Sequence, residues 1–220
     1  WDKLRDERHQ RMIELGLVDS DWRLTDRDPK APSWEEAELK PWQERRMEVY
    51  AAMIDSMDQN IGRIVNKLQS RGYFENTLIL FCADNGGCAE ENGSGRPAAP
   101  EDLNPAPITN PMKPGEHQTR MVPSFSREGR KVRQGRGVMP GADDTYVAYG
   151  LPWANASNTP FRRYKHWVHE GGIASPLVVH WPQGINHDQH GGLYHEPAHL
   201  IDFMATCVDL AEAEYPQEAN

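Results

Sequence analysis

The sequence predicts an α/β layered domain, and two observations carry that expectation. A long amphipathic helical pattern over residues 44–71 is followed, after Gly72, by the short apolar run TLILFC flanked by turn-forming residues. A second apolar run, LVVHW at 177–181, ends at Pro182 after another helix-breaking, glycine-containing stretch. Helix, tight turn and buried strand in that order suit helices layered on a sheet.

Each element follows from its residues. The charged opening predicts a short helix over residues 2–15, and DRDPKAPSWEE, with Pro29, Pro32 and a candidate N-cap at Ser33, predicts an extended surface segment. Met47, Tyr50, Ala51, Ile54, Met57, Ile61, Ile64, Val65 and Leu68 recur at intervals of three and four, the period of one helix face. Gly72 supplies its stop. The runs at 78–83 and 177–181 are continuously apolar, as strands buried on both faces are. Residues 86–144 hold much of the glycine and proline and show no sustained period, so they read as a long loop of functional or mobile character. DTYVAYG at 144–150 is a weak strand candidate, and a final helix is expected over 197–214 with Leu200, Met204, Cys207, Val208 and Ala211 on one face.

Composition narrows the function classes. The 33 acidic against 24 basic side chains give a net charge of -9, a poor match for nucleic acid, although a small anionic ligand is compatible with local positive charge. The apolar runs fall far short of the roughly 20 residues of a membrane-spanning helix. Cys82, Cys88 and Cys207 are odd in number and lack zinc or redox spacing, which argues against a disulfide framework. The chain opens on Trp1 without a recognisable signal peptide and is expected to be a piece of a longer protein, its compartment and oligomeric state left open.

The candidate chemistry sits at the end of the first strand. Residues just past the carboxyl end of a strand line the ligand crevice in α/β sheets, which singles out Asp84 and Asn85. A carboxylate and an amide oxygen are hard donors suited to Ca²⁺ or Mg²⁺ rather than zinc. The same DNG tripeptide is also a good turn. Arg127, Arg130, Lys131, Arg133 and Arg136 form a basic patch read as a solvated loop face, with substrate steering as the functional counterpart. Four histidines within residues 186–199 invite a transition-metal reading, against which stands a solvated, glycine-containing loop.

Taken together, TLILFCADNGG, TPFRRYKHWVHEGGIASPLVVHWPQGI and HLIDFMATCVDLAEAEYP, in that order, resemble the sulfatase family of the alkaline phosphatase-like superfamily. WDKLRDERHQRMIELGLV and MEVYAAMIDSMDQNIGRIVNKLQSRG look like bacterial arylsulfatases, and the loop after Gly87 is the least family-like part. The resemblance implies a partial sulfatase fold, a mixed, mostly parallel sheet flanked by helices, with residues 1–220 as the C-terminal-side portion of a catalytic domain. It implies that Asp84 and Asn85 ligate Ca²⁺ and that Lys165 contacts the sulfate ester. His169, near Lys165, is a further candidate for substrate binding, while Glu170, Gly171 and Gly172 read as scaffold, the glycines for a tight backbone and Glu170 to anchor the turn.

The family attacks sulfur with formylglycine, made from a Cys or Ser in a motif with Pro or Ala two residues on and Arg four residues on. Cys82, Cys88 and Cys207 are followed by ADNG, AEEN and VDLA, so the nucleophile is expected upstream, with the remaining acidic metal ligands, and the small C-terminal subdomain is expected to lie beyond the chain. This implies an intact parent that hydrolyses a small sulfate ester, an inactive fragment with weak or no Ca²⁺ binding, and an open apolar sheet edge. Export to the periplasm or outside the cell is common among bacterial relatives. Two rivals remain: a phosphodiesterase or phosphonate monoester hydrolase of the same superfamily, which often carries Asp-His where this chain has Asp84-Asn85, and a non-catalytic binding module.

Overall fold

The computed structural model describes residues 1–215. Helix α1 spans Asp2–Glu14, one residue short of the expectation. It is held by a buried Arg5, whose guanidinium donates to the Thr25 carbonyl at 2.8 Å, and by the exposed Lys3–Glu7 pair at 3.3 Å. The segment after it is not the surface strip its charges predict. Val18, Asp28, Ala31 and Ala37 are buried. The cause is a set of polar anchors: the Trp1 indole donates to the Pro32 carbonyl at 2.9 Å, and the Trp34 amide to the Asp2 carboxylate at 2.7 Å. Ser33 and Glu36 bond each other reciprocally, as in a capping box, but close only a turn.

Helix α2 spans Lys40–Ser70 and starts four residues before the expected position, because Leu39 adopts a left-handed conformation and Pro41 occupies the first turn, where no amide partner is lost. Its early turns bury Trp42 and Arg46, and the Trp42 indole donates to the Val138 carbonyl at 2.7 Å. Further along, the apolar stripe is open: Ile54, Met57 and Ile64 are all exposed.

Strands β1 (Ile79–Cys82) and β2 (Leu177–His180) form the sheet of the described residues, antiparallel, with Phe81 opposite Val178 and Leu80 opposite Val179. This corrects the expected mostly parallel sheet. A parallel neighbour requires a crossover that returns the chain to the same end, whereas the connection here brings β2 back from the end where β1 leaves. The strands are also not buried on both faces. Phe81 is 46% and Val178 56% exposed, since two strands alone offer no layer to cover either side.

Between the strands, residues 86–144 form turns, a short 3₁₀ helix at Pro100–Leu103 and isolated bridges, such as Ile108 with Arg130 and Phe125 with Lys131, in keeping with the missing period. Residues 144–150 do not make a strand. Asp144 is buried in a two-pronged pair with Arg133, Nε and Nη2 each at 2.9 Å, and the chain then enters helix α3 (Gly150–Ser157), which the sequence reading did not foresee. Helix α3 supplies the centre of the core: Trp153 and Ala156 pack with Trp1 and Ala37, the Trp1 ring standing edge-on to Trp34 at 4.9 Å and to Trp153 at 5.3 Å. A single turn, α4 (Glu170–Ile173), precedes β2. Helix α5 (Ile201–Leu210) is shorter than expected, and its Ile201, Met204 and Leu210 are exposed. No helix of the described residues is long and apolar enough to cross a membrane.

Candidate functional site

The polypeptide leaves β1 into a bend carrying Asp84 and Asn85, where the Asn85 amide donates to Asp84 Oδ1 at 2.5 Å. The next two residues tie this bend to the segment ahead of β2. Gly86 donates its amide to the Gly172 carbonyl at 3.0 Å, and Gly87 accepts from the Lys165 amide at 3.1 Å. The two backbones lie so close at Gly86 that a β-carbon there would sit 1.8 Å from the Gly171 carbonyl oxygen. Asn158, just past α3, joins both sides: its Oδ1 accepts from the Gly87 amide at 2.9 Å and its Nδ2 donates to the Arg163 carbonyl at 3.0 Å.

The Lys165 segment is itself held in an unusual backbone. Arg163 and His166, on either side of Lys165, have φ of 70° and 79°, a left-handed conformation that side-chain-bearing residues rarely adopt. Side-chain contacts hold it there. The Arg163 guanidinium pairs with the buried Asp28 at 2.9 Å and lies 4.4 Å from the centre of the Trp167 ring. The buried Gly171 donates to the Arg162 carbonyl at 3.1 Å, which confirms the tight backbone expected of the two glycines. Glu170 opens α4 with an exposed side chain, and its part in the turn is its carbonyl, which accepts from the Ala174 amide at 2.8 Å.

Charge around Lys165 is set by Glu90. Its carboxylate lies 3.7 Å from Lys165 Nζ and 3.2 Å from His166 Nε2, and accepts from the Cys88 thiol at 3.3 Å. The Cys88 thiol, the His166 ring and the Lys165 ammonium together hold the Glu90 carboxyl below its usual range. Burial pushes the Cys88 thiol up, away from the thiolate. Beneath the turn, the Tyr149 ring stacks on Tyr50 of α2 at 4.7 Å, and burial pushes its phenol up to about 12, so it stays neutral.

The structure thus brings the backbones of Asp84-Asn85 and Lys165 together through Gly86 and Gly87. Among the described residues, no hydrogen bond or ion pair joins the Lys165 side chain to Asp84 or Asn85. His169 is engaged elsewhere, its Nε2 3.1 Å from the Arg162 guanidinium and its ring stacked near Trp167 at 6.0 Å. Two surface clefts, one beside Leu193 and Pro197 and the other between Asn110 and Phe125, are lined by none of these four residues. No group of three or more His, Cys, Asp or Glu poised for a metal ion occurs among the described residues, the histidine-rich loop included.

The basic patch is largely committed within the protein: Arg133 is buried against Asp144, Lys131 pairs with Asp102 at 2.8 Å, and Arg136 pairs with Glu38. Sequence reasoning missed Asn158, Glu90 and the Asp28–Arg163 pair. All three act across more than 70 residues of chain, so no local pattern marks them.

Comparison with known proteins gives a consistent result. The family model described as Sulfatase matches residues 18–213. An uncharacterized sulfatase of Schizosaccharomyces pombe is 29% identical over 218 residues, 98% of this chain and 34% of that protein. An arylsulfatase of Klebsiella aerogenes is 28% identical over 208 residues, 93% of this chain and 38% of that protein. A steryl-sulfatase of Mus musculus is 23% identical over 167 residues, covering 76% of this chain and 18% of the relative. The chain spans about a third of the length of the first two.

Proposed function

The chain belongs to the sulfatase family, and from that premise we propose that its full-length parent hydrolyses a small sulfate ester, with residues 1–220 as the C-terminal-side portion of the catalytic domain. The observation that carries this reading is the clamp between the β1 turn and the Lys165 segment. Two backbone hydrogen bonds, from Gly86 to Gly172 and from Lys165 to Gly87, join the segment that carries Lys165 to the turn that carries Asp84 and Asn85.

Each residue has a role suited to its chemistry. Lys165 offers up to three donors to the sulfate oxygens and stabilises charge that grows on the leaving oxygen, which makes it the catalytic and substrate-binding cation of this chain. Asp84 and Asn85 fit one face of a Ca²⁺ shell: with the amide nitrogen turned onto Asp84 Oδ1, the Asn85 carbonyl oxygen and the other carboxylate oxygen remain as hard donors. A bound Ca²⁺ would neutralise sulfate charge, and an upstream formylglycine would supply the nucleophile.

The test is turnover by the full-length parent of an aryl sulfate against an aryl phosphate diester. Preferential sulfate hydrolysis, with kcat/KM reduced by roughly 10²–10³ in Lys165→Ala and a comparable or greater loss in Asp84→Ala, is the expected result. Preference for the diester would transfer the protein to the phosphohydrolases of the superfamily. Absence of turnover of either, in a parent lacking a formylglycine motif, would leave only a binding role.

A further inference from the structure

We infer that Glu90 is a positioning residue for Lys165, aiming the ammonium toward the site without saturating it; this rests on the sulfatase reading of Lys165. Glu90 belongs to the loop that sequence comparison of motifs left unassigned, yet its backbone is held on both sides. Before it, Gly87 accepts the Lys165 amide at 3.1 Å. After it, the Glu91 carboxylate is gripped by Arg46 at 2.6 Å and by the Ser94 hydroxyl at 2.6 Å. Arg46 is itself only 3% exposed, donates to the Ala148 carbonyl at 2.6 Å and lies 4.3 Å from the centre of the Trp42 ring, so this anchor is part of the rigid base of α2.

From that fixed position one carboxylate reaches two consecutive residues, Oε2 to Lys165 Nζ at 3.7 Å and Oε1 to His166 Nε2 at 3.2 Å. An exposed ion pair of this kind adds little to stability, and its effect is to be sought in orientation. A lysine side chain has many rotamers, and a fixed counter-charge selects among them. The 3.7 Å separation is longer than a direct charge-assisted hydrogen bond, so the ammonium keeps its donors for an arriving anion. The His166 contact secures the carboxylate laterally, and the left-handed backbone at His166 makes that contact possible directly after Lys165.

The experiment compares the full-length parent with its Glu90→Gln, Glu90→Asp, Lys165→Ala and Glu90→Gln/Lys165→Ala variants on an aryl sulfate. Glu90→Gln is expected to lower kcat about tenfold while KM changes less than about twofold, because the lysine is present but misaimed. Glu90→Asp, which keeps the charge, should recover part of the loss, and Glu90→Gln should have no further effect once Lys165 is gone. Unchanged kcat in Glu90→Gln overturns the inference, and so does an equal fold-loss in the Lys165→Ala background or a loss matched by a fall in melting temperature. Full turnover in Lys165→Ala would instead overturn the sulfatase reading of the site, and the role of Glu90 with it.

Discussion

Replacing Gly86 by alanine tests whether the β1 turn and the Lys165 segment work as one unit. The added methyl would lie 1.8 Å from the Gly171 carbonyl oxygen, 2.8 Å from its carbon and 3.2 Å from Gly172 Cα, all backbone atoms that cannot swing aside. The closest approach is roughly 1.5 Å or more short of ordinary nonbonded contact, so the two segments must part. Parting weakens the Gly86–Gly172 and Lys165–Gly87 hydrogen bonds at roughly 1 kcal/mol each, and residual overpacking adds about as much again, for a total of about 2–4 kcal/mol. A displacement of about 1 Å between Lys165 and Asp84 is enough to reduce turnover on the order of 10²-fold. Urea unfolding and aryl-sulfate turnover of the full-length parent read the two effects separately. The control is Gly62→Ala in α2, where a β-carbon meets nothing within 4 Å, and which should be neutral or stabilising by up to about 1 kcal/mol. A Gly86→Ala enzyme with wild-type unfolding midpoint and wild-type turnover would refute the clamp.

Three further outcomes follow from the same structure. Asp144→Ala leaves the buried Arg133 without its two-pronged partner and should cost about 3–5 kcal/mol in denaturant unfolding; because the hydrogen bond from Arg133 holds Asp144 below its usual range in the folded protein, that stabilisation is complete above about pH 4 and fades as pH falls through the lowered value, so the difference from wild type should narrow only in acid. Calorimetric titration of the 220-residue chain with Ca²⁺ should show weak or no binding, since Asp84 and Asn85 provide two recognisable side chains of the six to eight oxygens the ion takes; submicromolar binding would contradict the division of ligands proposed above. Phe81 and Val178 face each other across the sheet with 46% and 56% exposure, so the isolated chain should self-associate in sedimentation, and Val178→Lys should reduce that association.

What could be read from the sequence was set by how local its cause was. The α1 and α2 patterns, the strands at residues 79–82 and 177–180 and the featureless 86–144 stretch depend on periodicity and turn residues within short windows, and all were legible. Sheet direction was not, because it depends on where 94 intervening residues return the chain, which the β1 and β2 sequences do not encode. Helix α3 was hidden by its composition: GLPWANAS has glycine and proline at its start and no amphipathic period, since nearly every residue is buried. That Asp84 and Asn85 follow the end of β1 was legible from the strand pattern, and Lys165 was singled out by motif order alone. Their mutual placement was not, since it runs through backbone groups of Gly86, Gly87 and Gly172 and through Asn158, whose contacts leave no pattern in one sequence.

The distribution of burial explains why polar clamps matter so much to this site. Trp1, Ala37, Trp153 and Ala156 gather the apolar core beneath α1, α3 and the early turns of α2, while Phe81 of β1, the apolar residues of β2 and most of those of α5 are exposed. Asp84 and Asn85 therefore sit at the end of a strand that the core does not grip. What ties them to it is a short series of directional contacts: Gly86 to Gly172, Gly87 to Asn158 at the end of α3, and Arg163 to the buried Asp28. Apolar packing tolerates small slips because it is non-directional, whereas hydrogen bonds weaken steeply when bent or stretched. The proposed site, which joins Lys165 to the Asp84-Asn85 turn, is thus better served by these clamps than by additional apolar area. The left-handed backbone at Arg163 and His166 has the same origin, being the conformation in which the Lys165 amide can meet Gly87 while the flanking side chains reach Asp28 and Glu90.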